Sequence, residues 1–172
     1  TLTYILTGRT TYSNWVFDLL DDKSLQNSSA AFYDFNAKIT YDPNKNNKID
    51  FSAYVSHDSF RFNSDSLYSY DNNIFALKWR HFFTSRFFST FTVNSSTYNY
   101  DINSHSTPTE GFVLSHKLNS TALKADFNWY QGRNEINYGA DITRYSILPG
   151  SYHPYGSESL VVPVNIESEK AY

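Results

Sequence analysis

The sequence predicts an all-β fold, an antiparallel up-and-down meander. Three observations predict it. Tyr, Phe and Trp number 15, 14 and 3 and make up 19% of the chain, and aromatic residues suit the half-buried surface of a pleated sheet. Apolar and polar residues alternate along several segments, the period of two that gives a strand one greasy face and one wet face. No segment repeats its apolar residues with a helical period, so almost no helix is expected.

Taken in order, LTYILTGRTTY sets Leu2, Tyr4 and Leu6 against Thr3, Thr7 and Arg9. YDFNAKITY sets Tyr33, Phe35, Ala37, Ile39 and Tyr41 against Asp34, Asn36, Lys38 and Thr40, and KIDFSAYV sets Ile49, Phe51, Ala53 and Val55 against Asp50, Ser52 and Tyr54. NIFALKWRH sets Phe75, Leu77 and Trp79 against Lys78 and Arg80. FFSTFTVNSSTYN, from Phe87 to Asn99, reads as a longer and weaker strand. The stretch from Gly111 to Tyr130 reads as one long strand whose parity slips between Leu118 and Leu123, which calls for a bulge; two strands turning at Asn119-Ser120 is the other reading. LKADFNWY, at its end, sets Leu123, Ala125, Phe127 and Trp129 against Lys124, Asp126 and Asn128. INYGADITRY then sets Ile136, Tyr138, Ala140 and Ile142 against Asn137, Asp141 and Thr143.

The connections on these boundaries run roughly 19, 7, 17, 5, 11 and 5 residues, followed by a tail of about 27. Long and short alternate. In a meander alternate connections lie at the same end, so one end carries tight turns and the other long loops, the asymmetry of outer-membrane barrels. The fold class expected is therefore a meander forming part of a transmembrane β-barrel, with residues 1–172 as one segment of about seven strands and no plug domain. The short connection DPNKNNK looks at first like a calcium loop, with Asp42, Asn44 and Asn46 as oxygen ligands. An EF-hand needs Gly at its sixth position and Glu at its twelfth; Asn47 and Ala53 stand there. It reads instead as a tight turn, with Asx side chains capping it and Pro43 ending the ladder before it.

Composition narrows the function. Net charge is -3 with no basic block, so no nucleic-acid partner is expected. Cysteine is absent, which removes disulfides, thiolate metal sites and cysteine nucleophiles. No apolar run approaches a membrane helix, but a barrel strand is apolar only at alternate residues and hides from hydropathy averages. The strand-like opening has no signal peptide before it, so either a leader was removed or the chain is an internal piece.

No catalytic residue, metal ligand or cofactor is expected. His57, His81, His105, His116 and His153 lack ligand spacing. PGSYHPYG does not match a nucleophile elbow, and Asp21-Asp22 lies in a loop with nothing apolar to raise a pKa. The sequons at Asn94 and Asn119 fall within strands and are discounted. The alternating faces read either as the core side of a soluble sandwich or as a lipid-facing surface. Tyr33, Tyr41, Trp79 and Trp129, near strand ends, suit the aromatic girdles of a barrel. Lys38, Lys78, Arg80, Lys124 and Asp141 then line a polar lumen. Phe60, Tyr68 and Tyr70, in a long loop, are the candidates for touching an external ligand.

TGRTTY, FYDFNAKITY, FSAYVSHDSF and NIFALKWRHFFTSRFFSTFTVNSSTYNY, followed by LKADFNWY, INYGADITRY and LPGSYHPYG, resemble in order the barrel region of TonB-dependent outer-membrane receptors of the Bacteroidetes type. The resemblance covers nearly the whole chain and implies nutrient import across the outer membrane of a Gram-negative bacterium, without enzymatic chemistry. The implied partners are outer-membrane lipid, the remainder of the receptor barrel and plug, TonB, and a surface lipoprotein. Such receptors have about 22 strands, so about seven strands without a plug implies a partial chain. Two alternatives stand: a complete small outer-membrane barrel acting as an adhesin or structural protein, and a soluble β-sandwich that binds carbohydrate.

Overall fold

The computed structural model describes residues 1–11, 14–19, 28–62, 66–104 and 107–172. Seven long strands follow one another: β1 (Leu2–Thr10), β2 (Ser29–Asn44), β3 (Asn47–Phe62), β4 (Ser66–Thr84), β5 (Phe87–Ser104), β6 (Phe112–Gln131) and β7 (Asn134–Pro154). A short helix, α1 (Asn14–Asp18), lies between β1 and β2, and two short strands, β8 (Val164–Asn165) and β9 (Glu169–Ala171), follow β7. Each long strand pairs antiparallel with the next, and β8 and β9 both pair with β7. The result is the expected meander. Among the described residues β1 and β7 do not pair, so the sheet is open.

Three turns, each with two residues outside the strands, lie at one end, after Asn44, Thr84 and Gln131. The asparagine-rich stretch is one of them. Asn44 Oδ1 accepts from the Asn46 amide at 3.0 Å and from Asn47 Nδ2 at 2.8 Å, so the Asx side chain holds the turn. Regular pairing stops at Tyr41 and resumes at Asn44; Pro43, which has no N–H to donate, sits inside that irregularity. Gly132 takes a φ of 63° in the third turn, a conformation that tight hairpins require and glycine adopts without strain.

At the other end the expectation of uniformly long loops is corrected. The segment from His57 to Asn73 is strand at every described position, and only residues 63–65 separate β3 from β4. β5 likewise runs to Ser104. The Gly111 to Tyr130 stretch is one strand, but its bulge is misplaced by the sequence reading. β5 and β6 pair without a shift, and the irregularity lies against β7, between Ser115 and Lys117. Leu118 and Leu123 simply face opposite sides. The expected tail is also partly strand. β8 and β9 continue one register along β7, joined by the Ile166 amide donating to the Gly150 carbonyl at 3.0 Å. They behave as one interrupted strand that leaves the edge of β7 from Asn134 to Arg144 uncovered among the described residues.

The two faces of the sheet reverse the arrangement of a soluble protein. Among the described residues no hydrophobic side chain is buried, whereas Asp34, Ser56, Thr90 and Ser104 on the polar face are. Apolar side chains stand exposed on the face away from the main depression: Ile142 is 59% exposed and Leu123 52%. Register puts Tyr4, Ile39, Phe51, Leu77, Val93, Leu123 and Ile142 in one row across the sheet. Near the turns this face carries aromatic rings in contact: Trp79–Phe91 tilted with centroids 5.5 Å apart, Phe91–Phe127 edge-to-face at 5.9 Å and Phe127–Tyr138 stacked at 5.2 Å.

This apolar belt does not follow the hydrogen-bonded rows. On β2 it runs through Phe35, Ala37, Ile39 and Tyr41, and on β6 through Leu123, Ala125, Phe127 and Trp129. The register places Tyr41 level with Ala125 and Phe35 level with Asn119. Between β2 and β6 the belt thus drifts towards the turns by four residues in all, a mean of about one per strand, taken up between β3 and β6. With a rise of about 3.3 Å per residue and strands about 4.8 Å apart, it crosses the rows at roughly 35°. That is the strand tilt needed to close a sheet into a barrel, typically about 35–45°.

Candidate functional site

The face opposite the apolar belt encloses a depression of about 1210 Å³ near the turns. Two adjacent rows build its floor. One holds Thr40, Asp50, Lys78, Thr92 and Lys124; the other holds Lys48, Arg80, Thr90, Asp126 and Gly139. Strand alternation brings these polar side chains together, since each is flanked in sequence by residues of the belt. Lys38, Lys78, Arg80 and Lys124, expected on one polar face, all line the depression. Asp141 stands opposite Lys124 at the β7 rim and does not line it.

Carboxylates compensate part of this charge. Lys124 Nζ lies 3.4 Å from Asp126 Oδ1. Asp50 Oδ1 accepts from Thr40 Oγ1 at 2.6 Å. Arg80 has no such partner: its Nε is buried without a hydrogen-bond acceptor, and its guanidinium carbon is 5.7 Å from the centre of the Phe88 ring. Lys48 lies directly across from Arg80 on the neighbouring strand. Gly139 closes the β7 side, where a Cβ would come within 2.5 Å of the Ala125 carbonyl oxygen; only glycine allows so close an approach.

Farther from the turns the same face becomes aromatic. Tyr70 stacks on Tyr100 with centroids 4.9 Å apart and planes at 14°, and Tyr100 stacks on His116 at 5.8 Å and 13°. These three rings cross β4, β5 and β6 as direct cross-strand partners. Phe60 pairs with Tyr68 beside them. Phe60, Tyr68 and Tyr70 are therefore not loop residues; they belong to strands β3 and β4 and share the face of the polar depression. The carbonyl of Pro149 sits 2.5 Å from His116 Nδ1 and fixes that ring.

Several of these groups escaped the sequence reading. Asp50 had its polar parity assigned but was not among the lumen candidates, and Lys48 lies on the same parity of that strand, so alternation alone could have found it. Tyr100 and His116 needed the register between strands, which no local pattern displays. Of the histidines, His57 pairs with Asp71 at 2.7 Å on the belt face, beyond its apolar part, and His81 contacts Asn47 Oδ1 at 2.8 Å. His105 and the pair Asp21-Asp22 lie outside the described residues. Among the described residues no three of His, Asp and Glu gather into a metal-binding group. No described helix is long and apolar enough to cross a membrane, which says nothing about strands that cross.

No protein-family model matches the sequence, and no curated protein matches it. A solved structure does resemble the fold: BauA, the ferric preacinetobactin receptor from Acinetobacter baumannii, superposes with a TM-score of 0.56 at 12% identity. The match covers 87% of this chain and 27% of the receptor's. At that identity the likeness concerns fold alone, an antiparallel meander of the β-barrel type. The chain spans about a quarter of the receptor's length.

Proposed function

We propose that the chain is a segment of barrel wall in an outer-membrane receptor that imports a nutrient in a TonB-dependent manner. The observation that carries this reading is the exposed apolar belt, inclined at roughly 35° to the hydrogen-bonded rows. A contiguous apolar face of this size left in water would be an aggregation hazard; in lipid it is solvated. Clustered aromatics at the turn end suit the membrane–water interface. Arg144, in the same face, falls at the belt's far margin, where a charge costs little. A soluble sandwich would instead bury this face against a second sheet, and the described residues form only one sheet.

Unpaired backbone along β1 and along β7 from Asn134 to Arg144 is not tolerated in lipid, so further strands are required to close the wall. The rest of a receptor barrel would supply them, in keeping with the share of BauA that the chain matches. The sequence resemblance adds TonB, a plug and a surface lipoprotein as partners, and the Bacteroidetes lineage rests on that resemblance alone. In this reading the tight turns face the periplasm, the aromatic end of the polar face opens outward, and the segment performs no chemistry of its own.

Fractionating the source cells tests the assignment. The polypeptide should be recovered from the outer membrane and stay folded only in detergent or lipid. Recovery as a folded monomer from the soluble fraction would overturn it. Uptake that persists unchanged in cells lacking TonB would overturn the energy coupling while leaving the barrel.

A further inference from the structure

Lys48 and Arg80 are direct cross-strand partners on the polar face, and Lys78 stands two residues from Arg80 on the same side. Like charges directly opposite one another destabilise a sheet. Two carboxylates stand near: Asp50, directly opposite Lys78, accepts from the Thr40 hydroxyl, and Asp126 lies 3.4 Å from Lys124. Among the described residues no carboxylate lies within ion-pair distance of Lys48, Lys78 or Arg80. A buried donor without an acceptor is costly, yet Arg80 Nε is in that state. Thr90, opposite Arg80 on β5, is itself buried and adds a hydroxyl to the same spot.

We propose that Lys48 and Arg80, with Lys78 and the Thr90 hydroxyl, form a binding site for an oxyanion: a phosphate or carboxylate group of a solute. Cross-strand partners have Cβ atoms about 5 Å apart, so two long cationic side chains can converge on one anion. Such an anion would accept from the terminal guanidinium N–H groups of Arg80 and from the Lys48 ammonium, and relieve the repulsion between the facing cations through charge-assisted hydrogen bonds. Lys38 lies one row farther out and contributes only to the general field. The site faces away from the apolar belt, which favours a dissolved anion over a lipid headgroup. It needs only the folded sheet, so its failure would leave the barrel-wall reading standing.

The test uses the whole polypeptide that carries this chain, folded in a non-ionic detergent, with ionic strength held constant by chloride. Inorganic phosphate and citrate are the probes, titrated by calorimetry. Saturable binding is expected for at least one of them. Arg80→Gln and Lys48→Gln should each weaken it at least tenfold, and Lys38→Gln by less than twofold. A second readout follows melting. Phosphate or citrate should raise the melting temperature of the unsubstituted chain. Lys48→Thr should raise it without any oxyanion and abolish the further rise. No saturable binding, equal weakening by all three Gln substitutions, or a Lys48→Thr chain that melts lower without the anion would each overturn the proposal.

Discussion

Ala37 and Thr121 occupy the same hydrogen-bonded row on the same face, together with Leu6, Ala53, Phe75, Ser95 and Arg144. If the rows lay parallel to the membrane, arginine at either position would cost the same. The inclined belt predicts otherwise. Ala37 sits one residue from the middle of the belt on β2, or about 3 Å along the membrane normal at a tilt of roughly 35°. Thr121 sits five residues from the middle on β6, about 13 Å away, at the margin of a band about 25 Å tall. Ala37→Arg should therefore destabilise by about 2–4 kcal/mol and Thr121→Arg by about 0–1 kcal/mol. The protein reconstituted into lipid vesicles and titrated with guanidinium chloride gives both values, with Ala37→Gln and Thr121→Gln as controls for size. Costs that agree within about 0.5 kcal/mol would refute the inclined belt. Costs below about 0.5 kcal/mol at both sites would mean that the face meets water.

Gly139→Ala forces a Cβ to within 2.5 Å of the Ala125 carbonyl oxygen, whereas the nearest atom to a Cβ at Gly150 is 3.6 Å away; unfolding midpoints should show about 1–3 kcal/mol lost at the first site and little at the second. Gly132 holds a φ of 63°, so Gly132→Val should cost about 1–2 kcal/mol and Gly132→Asn much less, by the same titration. Arg9 Nε is 2.7 Å from the carboxylate of Asp34, whose side chain is 5% exposed; Arg9→Ala leaves a buried acceptor short of a partner and should cost about 1–3 kcal/mol. A double-mutant cycle to alanine at Tyr70 and Tyr100, whose rings are 4.9 Å apart, should return a coupling of about 0.5–1.5 kcal/mol; a value of zero would remove the stack as a structural element.

The strands and their faces were legible wherever the belt imposes alternation. Tyr33 to Tyr41, Ile49 to Val55, Phe75 to Trp79 and Leu123 to Trp129 all face as their parity implied. Beyond the belt both faces of a barrel wall meet water, and the pattern disappears although the ladder continues. That is why Phe60, Tyr68 and Tyr70 read as loop residues and why the connection between β3 and β4 looked long. Leu118 misled for a related reason. It is an apolar residue on the polar face, and a strict reading of alternation turned it into a bulge. Lys38, Lys78, Arg80, Lys124 and Asp141 share one face because each carries its own parity, although Asp141 lies outside the depression. The opposition of Lys48 and Arg80 was not visible, because register is a property of strand pairs. The drift of the belt was hidden for the same reason, since it exists only once the rows are known.

The central claim is that lipid covers the apolar face along a line inclined to the hydrogen bonds. The chain has no cysteine, so single cysteines can carry spin labels without background. Labels at Ala37 and Ile39 on β2, and at Thr121, Leu123, Ala125 and Phe127 on β6, would be read in the membrane-embedded protein by their relative access to oxygen and to a water-soluble relaxant. Oxygen access should peak at Ala37 and Ile39 on β2 and at Ala125 and Phe127 on β6, about four residues below the hydrogen-bonded neighbours of the first pair. A peak at Thr121 and Leu123, or water access at all six positions, would contradict the account.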